Sequence, residues 1–223
     1  MHKTYRTGKI DFPALRGISF DVNEGEFLSI AGPSGSGKTT ILNIIGCLDK
    51  PTEGRIYFDD QDITDSPYSK LSDLRRGKIG FVFQTFNLIP VLTARENVEF
   101  PLILEGLKNP TARTERVEEI LTDVGLQDFM DRRPNELSGG QQQRVAVARA
   151  LVKEPRLILA DEPTANLDSK TGEDILNLML EINKKTSTTF VFSTHDKMVM
   201  DFASRLILLR DGHLDSDTGE RKK

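Results

Sequence analysis

The sequence contains a glycine-rich loop of the kind that binds phosphate groups. Residues 32–39 read GPSGSGKT, a G-x-x-x-x-G-K-T pattern between a predicted buried strand, 27–31, and a predicted helix, 39–48. Glycines let successive backbone N–H groups point at phosphate oxygens, and the helix N-terminus adds partial positive charge. We expect Lys38 to hold the β and γ phosphates of a nucleotide and the Thr39 hydroxyl to ligate Mg²⁺.

Two consecutive carboxylates follow a second apolar strand. The predicted strand 157–160 ends at Asp161 and Glu162, and ligands of open α/β sheets bind at the carboxyl ends of strands. Such a pair is more often a solvated turn, but the phosphate loop favours a functional interpretation. Asp161 suits a Mg²⁺ shell, and Glu162 suits the orientation and deprotonation of the water that attacks a γ phosphate.

A second candidate anion site precedes another predicted helix. Ser138 is followed by Gly139 and Gly140 and then by an alanine-rich apolar pattern. Ser138 could simply cap this helix, yet the two glycines also leave bare backbone amides at its N-terminus. One chain would then have two phosphate-binding devices, which is unusual for a simple kinase.

The elements that position these residues alternate between strand and helix. This order predicts an α/β core with a mainly parallel sheet. We expect a frayed polar tail at 215–223. The predicted strands are 15–22, 27–31, 54–58, 79–83, 157–160, 188–193 and 206–209, and the predicted helical regions are 39–48, 93–124, 170–184 and 197–202.

Composition narrows the class of protein. The chain has 223 residues, and its 30 Lys and Arg against 34 Asp and Glu give a formal net charge of −4. No global positive field attracts nucleic acid, so we expect no nucleic-acid partner. A single cysteine, Cys47, excludes a disulfide framework and fits a reducing compartment. Apolar runs are of strand length, so we expect a cytoplasmic protein that does not itself cross a bilayer.

Six motifs in a fixed order resemble those of the nucleotide-binding subunits of ATP-binding cassette (ABC) transporters, from about residue 5 to 214. GPSGSGKT is similar to the Walker A motif, LSGGQQQR to the signature and LILADE to Walker B. Gln84 in FVFQ resembles the Q-loop, 165–168 the D-loop and His195 in STHD the switch histidine. NIIGCLDKPTEG and the segment from FVFQ onward resemble the branch that energises lipoprotein release, macrolide export and antimicrobial-peptide resistance.

The resemblance implies a fold and its division. We expect an α/β P-loop NTPase core with a mainly parallel sheet, a small antiparallel β-subdomain and a helical signature subdomain. The whole chain, 1–223, would be a single ABC ATPase domain. Its catalytic core would comprise 1–84 and 156–223, and its helical subdomain 85–155.

The resemblance also implies an activity and partners. The chain would be a Mg²⁺-dependent ATPase that powers export or extraction through separate transmembrane permease subunits. Two copies would form a head-to-tail dimer with ATP between the Walker A loop of one and 138–140 of the other. The protein would then be peripheral on the inner face of the cell membrane. Alternatives are a soluble ABC ATPase of DNA repair or translation and an ABC-like scaffold of a membrane complex.

Site residues follow from the same motifs. His195 and Gln84 join Glu162 as expected catalytic residues, although a lone histidine or amide is weak evidence without the resemblance. Tyr5 resembles the aromatic residue that stacks on adenine, but it could be an ordinary packed aromatic. The expected nucleotide-binding residues are Tyr5, Gly32, Pro33, Ser34, Gly35, Ser36, Gly37, Lys38, Thr39, Thr40, Ser138, Gly139, Gly140, Gln141 and Asp168, and the expected metal ligands are Thr39, Gln84 and Asp161.

Two further expectations concern the strand before Tyr5 and the segment 86–104. The family usually opens with a strand before the aromatic loop, and we expect this strand to be missing because Tyr5 lies so near the first residue. We also expect 86–104 to form the face that docks the membrane subunit. The alternative for that segment is a buried subdomain core.

Overall fold

The computed structural model describes residues 1–8 and 10–219. The strands are β1 (His2–Thr7), β2 (Ile10–Arg16), β3 (Phe27–Ala31), β4 (Tyr57–Phe58), β5 (Gln61–Asp62), β6 (Ile79–Val82), β7 (Leu157–Asp161), β8 (Thr189–Thr194), β9 (Arg205–Arg210) and β10 (His213–Asp217). The helices are α1 (Lys38–Ile45), α2 (Tyr68–Lys78), α3 (Ala94–Glu105), α4 (Pro110–Asp123), α5 (Gly139–Leu151), α6 (Ser169–Thr186) and α7 (Lys197–Phe202).

A six-stranded sheet organises the core in the order β10-β9-β3-β8-β7-β6. The pairs from β9 to β6 are all parallel, and only the edge strand β10 pairs antiparallel, with β9. Two-stranded antiparallel sheets, β1-β2 and β4-β5, lie outside it. This architecture confirms the predicted α/β fold, in which a mainly parallel sheet accompanies small antiparallel sheets and helices.

Both faces of the sheet are covered, because alternate side chains of one strand enter two different hydrophobic clusters. Ile158 and Ala160 belong to the cluster formed with α3 to α6, whereas Leu157 and Leu159 belong to the cluster formed with α1 and α2. A strand that is buried on both faces is continuously apolar, which is why β7 was predictable from composition alone. The sheet therefore presents its carboxyl-end loops from a rigid base.

The predicted helical region 93–124 is helical, and residues close in sequence define where its first helix starts. Thr93 accepts from the Glu96 amide and Glu96 accepts from the Thr93 amide, so a capping box starts α3. Helices α3, α4 and α5 all lie inside the predicted subdomain 85–155. The subdomain boundaries themselves stay a prediction. Within the described residues, no helix is both long enough and apolar enough to span a membrane.

The predicted strand 15–22 is wrong. Strand β2 ends at Arg16, and the following segment carries inward-facing apolar residues without forming a strand. Ile18 is buried and exchanges backbone hydrogen bonds with Met1, but 19–22 forms no strand and pairs with none in the described part of the chain. It lines a cavity of about 760 Å³ together with 55–60. The alternation of apolar and polar residues indicated that one face is buried, but it did not indicate pairing with another strand.

Both chain ends also differ from expectation. Tyr5 lies inside strand β1, opposite Phe12 of β2, so the expected absence of a strand at this end is wrong. Residues 215–217 belong to β10 rather than to a frayed tail, because Arg205 holds both carboxylate oxygens of Asp217, at 2.8 and 2.6 Å. The rest of the expected tail from 220 onward lies outside the described residues.

Candidate active site

The phosphate loop connects β3 to α1 through glycines, and two of them, Gly32 and Gly37, leave no room for a Cβ. Gly37, the N-cap of α1, has φ 103°, in the left-handed region that side chains rarely adopt. A Cβ there would lie 2.8 Å from the Ala14 carbonyl oxygen, and one on Gly32 would lie 2.3 Å from that of Leu209. The backbone therefore folds tightly against β2 and β9, leaving its amides at the start of α1.

Lys38 and Ser36 are buried in this loop, and among the described residues neither has a side-chain hydrogen-bond partner. The Lys38 ammonium donates to the carbonyl oxygens of Gly32, at 2.8 Å, and Pro33, at 3.1 Å. The Ser36 hydroxyl has no hydrogen-bond partner among the described residues although it is fully enclosed. A buried cation and an unpaired buried hydroxyl both favour an anionic ligand.

Asp161, the last residue of β7, lies next to the start of α1. Its Oδ2 is 3.4 Å from the Thr39 hydroxyl, and its Oδ1 accepts a 2.8 Å hydrogen bond from Ser193. The structure thus brings together two of the three residues that the sequence predicted as metal ligands, Thr39 and Asp161, from positions 122 residues apart. Among the described residues, no group of three or more His, Cys, Asp and Glu side chains forms a metal site by itself.

Glu162 points away from Asp161 because the chain turns sharply after β7. Its φ is 47°, a left-handed conformation that non-glycine residues hold only where the surroundings impose it. Its amide donates to the Ser193 carbonyl at 2.9 Å, which fixes the turn. Oε1 lies 2.6 Å from Nδ1 of His195, and Oε2 accepts from the Thr194 hydroxyl at 3.2 Å. The carboxylate is therefore held at both oxygens.

Glu162 and His195 differ in their exposure to solvent. The Glu162 side chain is 15% exposed, whereas that of His195 is 69% exposed. His195 follows β8 and precedes α7, so it stands at the same carboxyl edge of the sheet as the acids. A largely buried base with an exposed orienting partner is suited to orient and deprotonate a water molecule.

Gln84 lies two residues beyond the end of β6, and not at the end of the strand as predicted. Its side chain is exposed and makes no hydrogen bond within the described residues. Its backbone carbonyl accepts from the side-chain Nδ2 of Asn166 at 2.8 Å. The predicted D-loop is therefore linked to the main chain of the predicted Q-loop. The side-chain amide of Gln84 stays available to a ligand.

Ser138 caps α5 and its neighbours pack on α6. The Ser138 hydroxyl accepts from the Gln141 amide, and the Gln141 side chain accepts from the Ser138 amide, which forms a capping box. A Cβ on Gly140 would lie 2.5 Å from Cγ2 of Thr171. The same Thr171 donates to Asp168, the cap of α6, and this hydrogen bond holds the pKa of Asp168 below its usual range.

The structure does not join these two candidate anion sites within one chain. Among the described residues, no hydrogen bond connects 138–141 with 32–40. Asp168 likewise serves α6 rather than the loop of its own chain. The backbone amides at the start of α5 are thus open to a ligand other than one bound by the phosphate loop of the same chain.

Tyr5 is 38% exposed and is anchored by its hydroxyl. That hydroxyl donates to Asp49 at 2.9 Å, and Lys3 donates to the same carboxylate at 2.6 Å. Burial and the interaction with Asp49 raise the pKa of Tyr5, while Thr40 at the start of α1 lowers it in part. Desolvation opposes ionisation of Asp49, but Lys3 and Tyr5 outweigh it and hold its pKa below the usual range.

Sequence reasoning missed the residues that support the acids. Ser193 and Thr194 end β8, which pairs in parallel with β7 so that Ser193 lies opposite Asp161. Their position at the carboxyl end of a predicted strand could have indicated that they lie near the acids. Asp49 and Arg149, which supports the segment after Gln84, had no sequence signal.

Comparisons with known proteins decide the family. The model of the ABC transporter family matches residues 15–165, which is more than half of the chain. The chain belongs to the ABC transporter family. This ABC protein is 52% identical over 218 residues to MJ0796 of Methanocaldococcus jannaschii, described as an uncharacterized ABC transporter ATP-binding protein, covering 96% of this chain and 93% of that protein.

Two further likenesses agree. The macrolide export ATP-binding/permease protein MacB of Syntrophobacter fumaroxidans is 48% identical over 221 residues, which cover 98% of this chain but only 31% of MacB. A dimeric structure of the MJ0796 ATP-binding cassette in a post-hydrolysis state with ADP and Pi superimposes with a TM-score of 0.90 at 50% identity, covering 100% of this chain and 97% of that one. The predicted ABC ATPase, its fold and its branch are confirmed.

Proposed function

We propose that this ABC ATPase hydrolyses ATP with Mg²⁺ and powers export or extraction of a substrate through separate membrane-spanning permease subunits. The observation that carries the proposal is the divergence of two neighbouring carboxylates. Asp161 lies against Thr39 of the phosphate loop, while Glu162 is bonded to His195. One acid is thereby available to a metal shell and the other to a water molecule.

The phosphate loop supports binding of the ATP phosphates. Lys38, 8% exposed, would move its ammonium from loop carbonyls to the β and γ phosphates. A Cβ on Gly35 would meet nothing within 4 Å, so the loop is open at that point. We assign the phosphates to Gly32, Pro33, Ser34, Gly35, Ser36, Gly37, Lys38, Thr39 and Thr40, and the adenine ring to Tyr5.

The oxygen donors near Thr39 suit Mg²⁺. A hydroxyl and one carboxylate oxygen 3.4 Å apart supply hard ligands, and Mg²⁺ in nucleotide sites takes its other ligands from phosphate oxygens and water. We assign Thr39, Asp161 and the free amide of Gln84 to this shell. When bound, the ion would neutralise charge that develops on the transferred phosphoryl group.

Glu162 is assigned as the general base. Its two oxygens are held by His195 and Thr194, so the carboxylate does not have to be ordered during the reaction. It would orient the attacking water and accept its proton. His195, which contacts only one oxygen of the acid, would act by positioning Glu162.

The second anion site supports a shared active site. The bare amides of Gly139 and Gly140 begin α5 beside Ser138 and Gln141, and within the described part of the chain they form no hydrogen bond with the phosphate loop. We propose that they contact the ATP of a second copy in a head-to-tail dimer, with Asp168 adjoining. The dimeric cassette structure of MJ0796 supports this arrangement.

An exposed apolar surface supports a membrane partner. Helix α3 exposes Phe100 (40%), Ile103 (50%) and Leu104 (59%), which share one helix face. Leu88, by contrast, packs against the core cluster, so the docking prediction for 86–104 applies to its exposed members. MacB combines its cassette with a permease, and we infer a peripheral position on the inner face of the membrane.

Glu162→Gln tests the proposal. The variant keeps size and a hydrogen-bonding oxygen but removes the proton acceptor, so phosphate release should fall by about 10²–10⁴-fold while ATP binding survives. Stalled ATP should let a dimer accumulate, and light scattering after size exclusion should show dimers with ATP and Mg²⁺ but monomers with ADP. Glu173→Gln, an exposed substitution on α6, is the matched control. Turnover within a few-fold of the parent would exclude Glu162 as the base.

A further inference from the structure

Gln143 is a buried polar side chain that has no part in the reaction proposed above. It lies on the second turn of α5 and is fully buried. Its side-chain Nε2 donates a 2.6 Å hydrogen bond to the backbone carbonyl oxygen of Pro163. Its Oε1 is enclosed and has no hydrogen-bond partner among the described residues. Gln143 therefore buries a whole amide group for one hydrogen bond.

Packing alone does not account for this amide. An enclosed acceptor without a partner costs free energy, and a methionine could fill a comparable space without a polar group. The orientation of the amide follows from its contact, because a flipped amide would place Oε1 against the carbonyl oxygen of Pro163. The hydrogen bond to this carbonyl is thus what a glutamine adds at position 143.

Pro163 directly follows Glu162, the residue assigned as the general base. Glu162 has a φ of 47°, whereas a proline ring restricts the residue before it toward extended conformations. The turn at the base is therefore strained and persists only because its surroundings impose it. Two hydrogen bonds bracket the strained residue. Its own amide donates to the Ser193 carbonyl at 2.9 Å, and the next carbonyl along the chain accepts from Gln143.

We propose that Gln143 is a positioning residue for ATP hydrolysis, which keeps the backbone of Glu162 in the turn that directs its carboxylate at the attacking water. This inference rests on the proposed function, because it requires Glu162 to be the base. Gln143 acts on the backbone side of the turn, whereas His195 and Thr194 hold the carboxylate oxygens. Misplacement of a reacting group by about 1 Å can cost about 100-fold in rate.

The place of Gln143 in α5 connects the base to the second anion site. Ser138 caps this helix. Gln143 lies four residues after Gly139, the first residue of the helix, which is about 6 Å along the helix axis. The helix whose N-terminus we assign to the ATP of a second copy therefore also holds the turn of the base in its own chain.

Gln143→Met tests the role, because it removes the donor at nearly constant side-chain volume. Phosphate release at saturating ATP should fall by about 10- to 100-fold, since the turn loses one of its two restraints. ATP affinity in calorimetry should stay within about twofold of the parent, because no group assigned to the nucleotide is changed. The melting temperature should change little, because the unpartnered Oε1 is removed together with the hydrogen bond.

Asn183→Leu is the matched control. Asn183 is 9% exposed, and its side-chain amide donates to the carbonyls of Gly25, at 2.9 Å, and Thr188, at 2.7 Å. These carbonyls precede β3 and β8 and so lie at the end of the parallel sheet opposite the acids. Loss of this buried amide should lower the melting temperature and leave kcat unchanged.

A second variant covers the case in which Gln143→Met does not fold. Gln143→Asn keeps an amide but is one methylene shorter, so the amide no longer reaches the Pro163 carbonyl. It should show the same loss of kcat with ATP affinity retained. Full activity of a folded Gln143→Asn protein would overturn the proposal.

A double-mutant cycle tests whether Gln143 acts through Glu162. Adding Gln143→Met to Glu162→Gln should cost no further activity, because the carboxylate that Gln143 positions is already gone. A purely structural role would lower the residual activity of Glu162→Gln as much as it lowers that of the parent. A further loss of about tenfold in the double variant would therefore overturn the proposal.

Other outcomes would also overturn it. These are a kcat of Gln143→Met within about twofold of the parent, a loss of ATP affinity that accompanies the lower rate, or an equal loss of kcat in Asn183→Leu. The parent protein separates the two claims. If the parent hydrolyses ATP in a Glu162-dependent way and Gln143→Met keeps its rate, only the role of Gln143 is refuted. If the parent does not hydrolyse ATP, or Glu162→Gln keeps its turnover, the proposed function is refuted.

Discussion

His195 has two possible roles, and the structure favours positioning of Glu162 over direct contact with phosphate. The Nδ1 to Oε1 distance of 2.6 Å marks one hydrogen bond to a carboxylate, a contact worth about 1.5–3 kcal/mol. The imidazole is 69% exposed, so solvent reduces its contribution toward the lower value. Because 1.36 kcal/mol corresponds to a factor of ten in rate, His195→Ala should lower kcat by about 10- to 100-fold.

The reduction is limited because Glu162 keeps two other restraints. Its Oε2 retains the Thr194 hydroxyl at 3.2 Å, and its backbone turn retains the bond to the Ser193 carbonyl. Nucleotide affinity should therefore stay unchanged in His195→Ala. His213→Ala, at an exposed histidine of β10, should have no effect on either parameter.

A double-mutant cycle separates the roles. If His195 acts through Glu162, then adding His195→Ala to Glu162→Gln should cost no further activity, because the group that it positions is already gone. The assay is phosphate release at saturating ATP, with ATP affinity measured in parallel by calorimetry. A full additional 10-fold loss in the double variant, or a weakened ATP affinity in His195→Ala, would refute positioning and favour a direct phosphate contact.

Three further substitutions test other parts of the molecule. Lys38→Ala should abolish tight ATP binding in calorimetry, because no other side chain of the loop supplies a cation; unchanged affinity would remove the phosphate-loop assignment. Asp49→Asn should cost roughly 1 kcal/mol of unfolding free energy at pH 7. Since the folded-state pKa of Asp49 is lowered, this difference should disappear as pH falls through that pKa, and a difference that persists in urea unfolding at pH 2 would contradict it. Phe190→Ala should cost about 3–5 kcal/mol in urea unfolding, because its ring is fully buried 5.5 Å from that of Phe27; a loss below about 1 kcal/mol would show that the ring is not a core contact.

The sequence predicted an element correctly where consecutive residues alone define both its buried face and its ends. Strand β3 and helix α7 have the predicted bounds, 27–31 and 197–202, because each is an uninterrupted pattern between clear turn signals. The phosphate loop was predictable for the same reason, since its strand, glycines and helix are consecutive. Segment 18–22 alternates apolar and polar residues as a half-buried strand does, but among the described residues it pairs with no strand. A local pattern does not show which element lies opposite it in the fold.

The surroundings of the candidate site depended on pairing between distant segments. That Ser193 and Thr194 would stand beside Asp161 and Glu162 follows from the register of β7 against β8, which the sequence does not state. The left-handed turn at Glu162 is likewise imposed by the Ser193 carbonyl and not by any preference of glutamate. The acids were identifiable by type, but the direction in which each points was not.

The segment after β6 receives support from two other parts of the site, which gives it a connecting role. The side chain of Asn166, in the predicted D-loop, donates to the Gln84 carbonyl, and Arg149 donates to the carbonyls of Phe86 and Asn87. Arg149 belongs to the helix that Ser138 caps, so the signature and this segment share one rigid element. All of these bonds end on main-chain carbonyls, and a shift of α5 therefore moves the backbone of the segment whatever side chains it carries. Glu162 and Asp161, fixed to the sheet by Ser193, would stay in place while Gln84 moves relative to them.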